Sequence, residues 1–492
     1  MFRQFIFDFF GYLVIFYTGG ILLSYFTMIV LAGIKILGRN STNDDVYKKE
    51  ILFESPYLPG VSIVAPAFNE AKTIVDNVKS LLNQDYPLFE VVIVNDGSKD
   101  ETLSKLINEF KMVQIPYDYV EKLHTQPFRA VYNSVLPEYA HLYVVDKENG
   151  GTKADAVNAG LNVARYSYFI NTDVDCILSR DAIFQCILPV LRERDVIAVS
   201  GAMTMSNGCK VRSGELQNRR APWRRVPLFQ TMEYMRSFFV GKMAWSAVKG
   251  MPNVSGGYGL FKKDVMIAAG GYRSDSFAED MEMLLDAEKY CVTAKIPYRV
   301  VQIPVTCCWT EAPHNLKILY RQRSRWGRGL IQTFSRHWDM VFNCKYGVVS
   351  AVTMPYIFFF EFLAPFIEVI GALMIIYLAF TGGVNWTAAI LLMIAIYMFN
   401  IMLSNFVMAY DYIAGSTFDS SKEYVKLFVA SLLEPFFFHP FVSVFSLVGY
   451  FKHISGARSS WGNMTRTGYA GKDSNAPSQG GTPNPEDTVE NH

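Results

Sequence analysis

Two long stretches of the chain carry no charged residue, and one lies near each end. The first runs from residue 9 to residue 34, and the second from residue 369 to residue 410. About 20 apolar residues in a helix cross the hydrocarbon core of a bilayer, so each stretch is long enough for a crossing. The pattern predicts one tilted anchor helix within residues 1–38 and a second membrane zone over residues 346–455.

The second membrane zone is uneven. A clean span, Trp386–Tyr410, follows a Thr-Gly-Gly break. The segment before the break contains Glu361 and Glu368, which are seven residues apart and therefore lie on one helix face. Acidic residues inside a membrane are rare and usually have a function. Glu361 and Glu368 also fit an interfacial helix that lies at the level of the lipid headgroups. The weaker stretch 424–451 contains two prolines, and we expect it to break near Pro435–Pro440 as an interfacial or re-entrant element.

Residues 39–345, between the two membrane zones, have ordinary polarity and alternate short apolar runs with helical stretches. The helical stretches include 70–83, 101–110 and 153–164. The alternation predicts an α/β domain with a mostly parallel sheet covered by helices on both faces, and functional residues at the carboxyl ends of strands. The predicted strands are VSIVAPAF (61–68), EVVIVND (90–96), LYVVD (142–146), SYFINTD (167–173), VIAVSG (196–201) and YRVVQIPV (298–305).

Composition and charge narrow the class of protein. Of the 492 residues, 51% are hydrophobic and 18% are charged, which is below the charge of about 25% usual for a soluble domain. These values argue against a wholly soluble protein, a disordered protein and a secreted disulfide scaffold. The net charge of +1 gives no electrostatic reason to expect nucleic-acid binding. The seven cysteines form no Cys-x-x-Cys pair, and we expect them to be reduced.

The charges around the first apolar stretch predict its orientation. Lysines and arginines cluster after it, whereas the one arginine before it is offset by an aspartate. By the positive-inside rule, the domain that follows is cytoplasmic. The apolar run is too long for a signal peptide and no small-residue cleavage site follows it, so we expect a retained anchor.

Acidic residues end several predicted strands. Asp96 lies in Asn-Asp-Gly-Ser after the second strand, where a carboxylate can bind a nucleobase or ribose but also suits a simple turn. Asp173 and Asp175 straddle the end of another strand. Together they suit a divalent cation held by a diphosphate, because Mg²⁺ and Mn²⁺ favour few carboxylates plus phosphate oxygens. Acids at strand ends are common without such a role.

Two predicted helices begin with charged residues that suit chemistry. Glu279 and Asp280 open a helix, where a carboxylate can act as a base or merely favour the helix dipole. Lys153 lies at another helix start, which suits either phosphate binding or solvent.

A third motif, Gln-Arg-Ser-Arg-Trp, reaches from residue 322 to residue 326. In a helix, Gln322, Arg325 and Trp326 share one face. A guanidinium can neutralise a leaving diphosphate and an indole can stack on a sugar. An amphipathic helix on anionic lipid is the alternative, and both interpretations can hold together.

Taken in order, these runs resemble the membrane-integrated, inverting family-two glycosyltransferases, the branch of the cellulose, chitin, hyaluronan and poly-N-acetylglucosamine synthases. The resemblance covers about residues 55–335 and rests on VSIVAPAFNE, NDGSKDET, VVDKENGGTKADAVNAG, TDVD, SGGYGLF, AEDMEM and QRSRW. Dolichyl-phosphate-sugar synthases resemble the first motifs but lack the last, so QRSRW discriminates between the two groups.

The resemblance implies a GT-A fold, a nucleotide-sugar donor, expected to be UDP-linked, and Mg²⁺ or Mn²⁺ as cofactor. It implies that Asp173 and Asp175 hold the metal. The donor would be bound by Ala67, Asn69, Glu70, Asp96, Lys153, Asp173 and Arg325.

The same resemblance assigns the acceptor side. Asp280 would be the general base and Glu279 its neighbour. The acceptor would be bound by Ser255, Gly256, Gly257, Gln322 and Trp326. Near the tail, Trp461 and Arg466 are similar to a gating segment of hyaluronan-type synthases.

The expected function is addition of sugars to a growing β-linked polysaccharide at the inner or plasma membrane, by a multi-pass protein with a cytoplasmic catalytic domain. The alternatives are a single addition to a lipid or lipid-linked acceptor and, more remotely, an inactive assembly scaffold. The large synthases have more membrane helices, so export or accessory subunits are expected partners, beside membrane lipid. The expected division is an anchor (1–38), a glycosyltransferase domain ending in interfacial helices (39–345), a membrane region (346–455), a gating-like segment (456–470) and a disordered tail (471–492).

Overall fold

A ten-stranded sheet forms the centre of the domain that follows the first helix. The computed structural model of the chain describes residues 2–38, 49–212 and 214–456. A small hairpin, β9–β10, lies apart from the large sheet. The strands are β1 (Val61–Ala67), β2 (Phe89–Asp96), β3 (Met112–Ile115), β4 (Phe128–Ser134), β5 (Leu142–Lys147), β6 (Tyr168–Thr172), β7 (Ile177–Leu178), β8 (Val196–Met205), β9 (Lys210–Arg212), β10 (Glu215–Asn218), β11 (Tyr258–Lys262) and β12 (Arg299–Thr310).

The strand order in the large sheet is β3-β4-β5-β2-β1-β6-β11-β8-β12-β7. The central strands β5, β2, β1 and β6 run parallel to one another, and so do β8 and β12. The other pairings in the described sheet are antiparallel, so the sheet is mixed rather than mostly parallel. The cause is local: β4 returns into β5 through a short connection, which only an antiparallel pair permits, and β11 runs against both β6 and β8.

Helices cover both faces of the sheet, as the alternating pattern predicts. Val78 and Ile183 belong to the core on one face, and Val157 and Leu284 to the core on the other. The helices are α1 (Phe2–Leu37), α2 (Ile74–Leu82), α3 (Thr102–Glu109), α4 (Lys153–Val163), α5 (Ala182–Arg192), α6 (Arg225–Arg236), α7 (Met243–Ala247), α8 (Lys263–Ala268), α9 (Glu279–Thr293), α10 (Leu316–Arg336), α11 (Met354–Ile357), α12 (Ala364–Phe380), α13 (Trp386–Ala414), α14 (Ser421–Phe437) and α15 (His439–Ile454).

Three of the described helices are long and apolar enough to cross a membrane: Gly11–Leu37, Val349–Phe380 and Trp386–Ala414. The helices α14 and α15 form a fourth apolar unit that bends by 51° between Phe437 and His439. Pro435 and Pro440 flank the bend. The break therefore lies where the prolines predict it, because proline removes a helical hydrogen bond and clashes with the preceding turn.

Two expectations concern parts of the chain that the structure does not describe. The gating-like residues Trp461 and Arg466 lie outside the described residues, and so does the tail 471–492. Both expectations stay predictions.

Candidate active site

The carboxyl ends of three adjacent parallel strands open into one large cavity. β2 ends at Asp96, β1 at Ala67, and Asp173 follows the end of β6. The cavity measures about 2860 Å³. All the candidate residues within the described chain line it: Ala67, Asn69, Glu70, Asp96, Lys153, Asp173, Asp175, Ser255, Gly256, Gly257, Glu279, Asp280, Gln322, Arg325 and Trp326.

A buried lysine holds the Asp96 carboxylate in place. Lys147 is 0% exposed, and its ammonium donates to Asp96 Oδ1 at 2.7 Å. The same ammonium lies 2.5 Å from Asp155 Oδ2. The backbone N–H of Gly150 also donates to Asp96 Oδ1, at 3.0 Å. The orientation of Asp96 is thus fixed by β5 and by the loop before α4.

The loop after β1 is tied to the loop after β2. The N–H of Asn69 donates to Ser98 Oγ at 3.0 Å, and its Oδ1 accepts from the N–H of Lys99 at 2.8 Å. Asn69 has φ of 57°, a left-handed conformation that asparagine adopts more readily than most residues. The Glu70 N–H donates to Thr102 Oγ1 at 2.9 Å. These bonds bring both loops to the same wall of the cavity.

Lys153 links the strand-end acids to the segment after residue 254. Its ammonium lies 2.5 Å from Asp173 Oδ1 and donates to the Gly256 carbonyl at 2.6 Å. Asp173, Asp175 and Cys176 present ligand atoms that all lie within 4.8 Å of one another. Two carboxylates at this spacing fit Mg²⁺ or Mn²⁺, which prefer oxygen ligands and take others from a phosphate or water.

The candidate base is oriented by two backbone groups. Asp280 Oδ2 accepts from the N–H of Gly256 at 2.8 Å, and Oδ1 accepts from the N–H of Met281 at 2.9 Å. A Cβ at position 256 would lie 3.3 Å from Asp280 Oδ2, so glycine permits this close approach. Burial and the negative charge of Asp280 raise the pKa of Glu279, although Arg325 and Lys153 oppose the shift.

The helix that carries QRSRW packs against the start of α9. A Cβ added to Gly329 would lie 2.7 Å from the Cβ of Ala278, so a larger residue would push the two helices apart. Gln332 Oε1 accepts from the N–H of Phe277 at 3.0 Å. These contacts hold the motif beside Asp280.

Helix α6 supports the motif from its other side. Gln230 Nε2 donates to Gln322 Oε1 at 2.8 Å. Arg323 is 4% exposed and forms a two-point ion pair with Glu233, with Nη1 to Oε1 at 2.7 Å. The guanidinium carbon also lies 4.4 Å from the centre of the Trp326 ring. The indole therefore rests on a buried cation that is itself fixed by α6.

The cavity continues from Trp326 between the helices that could span a membrane. Glu368 contacts His439 Nε2 at 3.0 Å and accepts from the hydroxyl of Ser443. Glu361 and Glu368 both line the cavity. Polar residues from the three candidate membrane helices and from the bent pair α14–α15 line this part: Tyr25, Glu361, Glu368, Asn400 and His439.

Sequence reasoning missed the residues that position the site. Lys147 is a lone lysine at the end of a strand, and Gln230 and Glu233 lie on a helix with no recognised motif. For Lys147 the sequence offers one signal. It directly follows the apolar strand run LYVVD, and a lysine at the buried end of a strand needs an acid partner.

Models of two related families match this chain and define its class. The model for glycosyl transferase family 2 matches residues 62–116, and the model for glycosyl transferase family group 2 matches residues 185–403. Both models describe family-two glycosyltransferases, and the two matches support membership of that family. The mixed α/β sheet with helices on both faces confirms the expected fold class.

Within this family, the chain is similar to bacterial polysaccharide synthases. It is 27% identical over 276 residues to the poly-β-1,6-N-acetyl-D-glucosamine synthase of Staphylococcus epidermidis, and this match covers 56% of each chain. It is 26% identical over 275 residues to the enzyme of that name from Staphylococcus aureus strain COL, which covers 55% of each. The chain thus matches little more than half the length of these relatives.

A solved mannosyltransferase from Pyrobaculum calidifontis, in complex with GDP-mannose and Mn²⁺, is also similar. It is 18% identical, and the match covers 88% of this chain and 99% of that chain with a TM-score of 0.48.

Proposed function

We propose that this protein is a membrane-bound, inverting glycosyltransferase that adds sugars from a UDP-linked donor to a growing β-linked polysaccharide. The observation that carries the proposal is one continuous cavity. It joins the strand-end acids, the Asp280 carboxylate and the QRSRW helix, and then extends between helices that could span a membrane. The catalytic domain is assigned to the cytoplasm, where nucleotide sugars are made.

An inverting transfer needs one base on the acceptor side. The acceptor hydroxyl attacks the anomeric carbon as the bond to the diphosphate breaks, so a group must take the hydroxyl proton. Asp280 suits this role because two N–H groups hold its carboxylate in a fixed orientation at the cavity wall. Glu279 beside it is buried, and burial together with the negative charge of Asp280 raises the pKa of the Glu279 carboxyl group.

The leaving nucleoside diphosphate gains negative charge, and cations must stabilise it. Lys153 and Arg325 supply fixed positive charge in the same cavity. Asp173 and Asp175 are the residues that would hold Mg²⁺ or Mn²⁺, which supplies Lewis-acid stabilisation of the diphosphate when bound.

The acceptor is assigned to the side of the cavity formed by QRSRW. Trp326 presents an indole that is 36% exposed, and such a ring can stack on the apolar face of a sugar. The opening of this side towards membrane helices suits a product that leaves through them. The named activity of the relatives supports a β-linked amino-sugar polymer as the first product to seek.

The proposal is tested with the full chain purified in detergent. A panel of nucleotide sugars is supplied with Mg²⁺ or Mn²⁺, and the products are separated by size. A polymer made from one donor supports the proposal. A lipid carrying a single sugar would instead identify a single-addition enzyme. If no donor were turned over, the result would favour an inactive assembly scaffold.

The assignment of Asp280 is tested by Asp280→Asn. We expect kcat to fall by about 10²–10⁴-fold, the usual contribution of a general base, while UDP binding is retained. Asp264→Asn is the matched control, because Asp264 is an exposed carboxylate in the first turn of another helix. Near-normal transfer by a folded Asp280→Asn protein would refute the assignment.

A further inference from the structure

One buried lysine of the cavity has no acid partner among the described residues. Lys242 is 8% exposed and lines the cavity, and its ammonium lies 4.8 Å from the centre of the Phe238 ring. Burial lowers the pKa of Lys242 to about 8, although Asp280 and Glu361 oppose the shift. A buried ammonium with unused donors is costly unless something binds it.

The backbone around Lys242 has an unusual geometry. Ser237–Lys242 is a π-helical segment, and Phe358–Phe362, which contains Glu361, is another. Such segments are rare and occur frequently at functional sites. Both present a charged side chain to the same cavity.

Aromatic rings line the wall near these two side chains. Tyr356 packs edge-on against Trp245 at 5.1 Å between ring centres, and it lies 5.2 Å from the Phe360 ring. All three residues line the cavity. A few polar groups among aromatic rings are typical of sites that bind and orient small polar ligands, and aromatic faces suit sugar rings.

We propose that Lys242 and Glu361 form a saccharide-binding subsite in the cavity that also contains Asp280. The inference rests on the proposed function and assigns to this subsite the sugar units behind the one that reacts. The ammonium donates to hydroxyl or acetamido oxygens, and the carboxylate accepts from hydroxyls. A lipid phosphate fits less well, because the Glu361 carboxylate opposes a second anion in the same space.

The test is equilibrium binding, which does not require turnover. The probe is a soluble β-1,6-linked N-acetylglucosamine hexasaccharide added to the full chain in detergent with UDP. We expect Lys242→Met and Glu361→Gln each to weaken hexasaccharide binding by about tenfold or more, because each removes hydrogen bonds to a charged group. The affinity for UDP is expected to stay unchanged, since neither side chain belongs to the donor wall.

The matched controls are Lys122→Met and Glu138→Gln, which remove the same charges from exposed positions outside the cavity. Unchanged hexasaccharide binding in both folded cavity variants would overturn the subsite. Loss of binding to a polyprenyl-phosphate sugar, with hexasaccharide binding intact, would overturn it in favour of a lipid-linked acceptor. If hexasaccharide binding depended on Lys242 but the protein turned over no donor, the proposed function would be refuted and the subsite would stand.

Discussion

Individual side chains of the site depend on partners that have no motif of their own. Asp96 and Asp280 were predictable, because acids at strand ends and helix starts follow simple local rules. Lys147 was indicated only weakly, by its place at the end of an apolar strand, and Lys242 was not indicated at all, since nothing about this lysine in the sequence shows that its ammonium is buried. The partners of a buried lysine can be distant in sequence, as Asp96 is 51 residues from Lys147.

The first prediction concerns Lys147. Lys147→Met leaves Asp96 and Asp155 buried without their shared cation, and loss of one partner of a buried ion pair costs about 3–5 kcal/mol. We expect a lower melting temperature and UDP binding weakened by about tenfold or more, with acceptor affinity retained. Thermal unfolding and calorimetric titration in detergent measure both effects.

Asp155→Asn is the comparison for this experiment. It keeps the Lys147–Asp96 contact of 2.7 Å, so it should affect stability more than UDP binding. A folded Lys147→Met protein with normal affinity for UDP would show that Lys147 does not position Asp96.

Among the structural elements, the strands with a continuous apolar run were predictable and the others were not. The observed β1, β2, β5, β6, β8 and β12 correspond to the six apolar runs seen in the sequence. β4 was missed although it has 7 residues, because polar residues interrupt it, and β11 was missed because Tyr258–Lys262 contains glycine and follows two more glycines. Its position between β6 and β8 is determined by long-range packing, which no local sequence pattern indicates. The same holds for α6, whose three polar contacts reach two distant helices.

The second prediction concerns the ion pair that joins α6 to the QRSRW helix, between Glu233 and Arg323. Arg323→Ala and Glu233→Ala should each raise the KM for a saccharide acceptor by about tenfold, because the first removes the cation under Trp326 and the second frees it. The double variant should be little worse than either one, giving a coupling energy of about 1.4 kcal/mol, the equivalent of one tenfold effect and within the range for residues in direct contact. A double-mutant cycle on acceptor KM and kcat measures it.

The ion pair between Lys79 and Glu109 is the control for this cycle. Both side chains are about one-third exposed or more, and they are separated by 2.5 Å. Exposed pairs contribute about 0–1 kcal/mol, and this pair is absent from the cavity lining. If the two cycles gave equal coupling energies, or if neither Arg323→Ala nor Glu233→Ala changed the acceptor KM, α6 would have no role in positioning Trp326.

For the whole molecule, contacts with the catalytic domain indicate how the membrane helices run. After the end of α13, Thr417 Oγ1 lies 2.7 Å from Thr306 Oγ1 of β12. At the end of α15, the Lys452 ammonium lies 4.7 Å from the centre of the Tyr320 ring on α10. The bent pair α14–α15 therefore begins and ends beside the same domain. Such a path fits a re-entrant or interfacial element better than a further crossing.

This path makes a prediction about topology. In the topology that we propose, one crossing by α1 places the catalytic domain inside, the segment ending at Phe380 crosses outward, and α13 returns. Thr381→Cys should therefore react with an impermeant maleimide in intact cells, in a background where the exposed Cys344 is replaced by serine. Glu138→Cys and Ser455→Cys, both at exposed positions, should react only after permeabilisation. Labelling of Ser455→Cys in intact cells would mean that α14–α15 crosses the bilayer, and the contact between Lys452 and Tyr320 could not then form across the membrane.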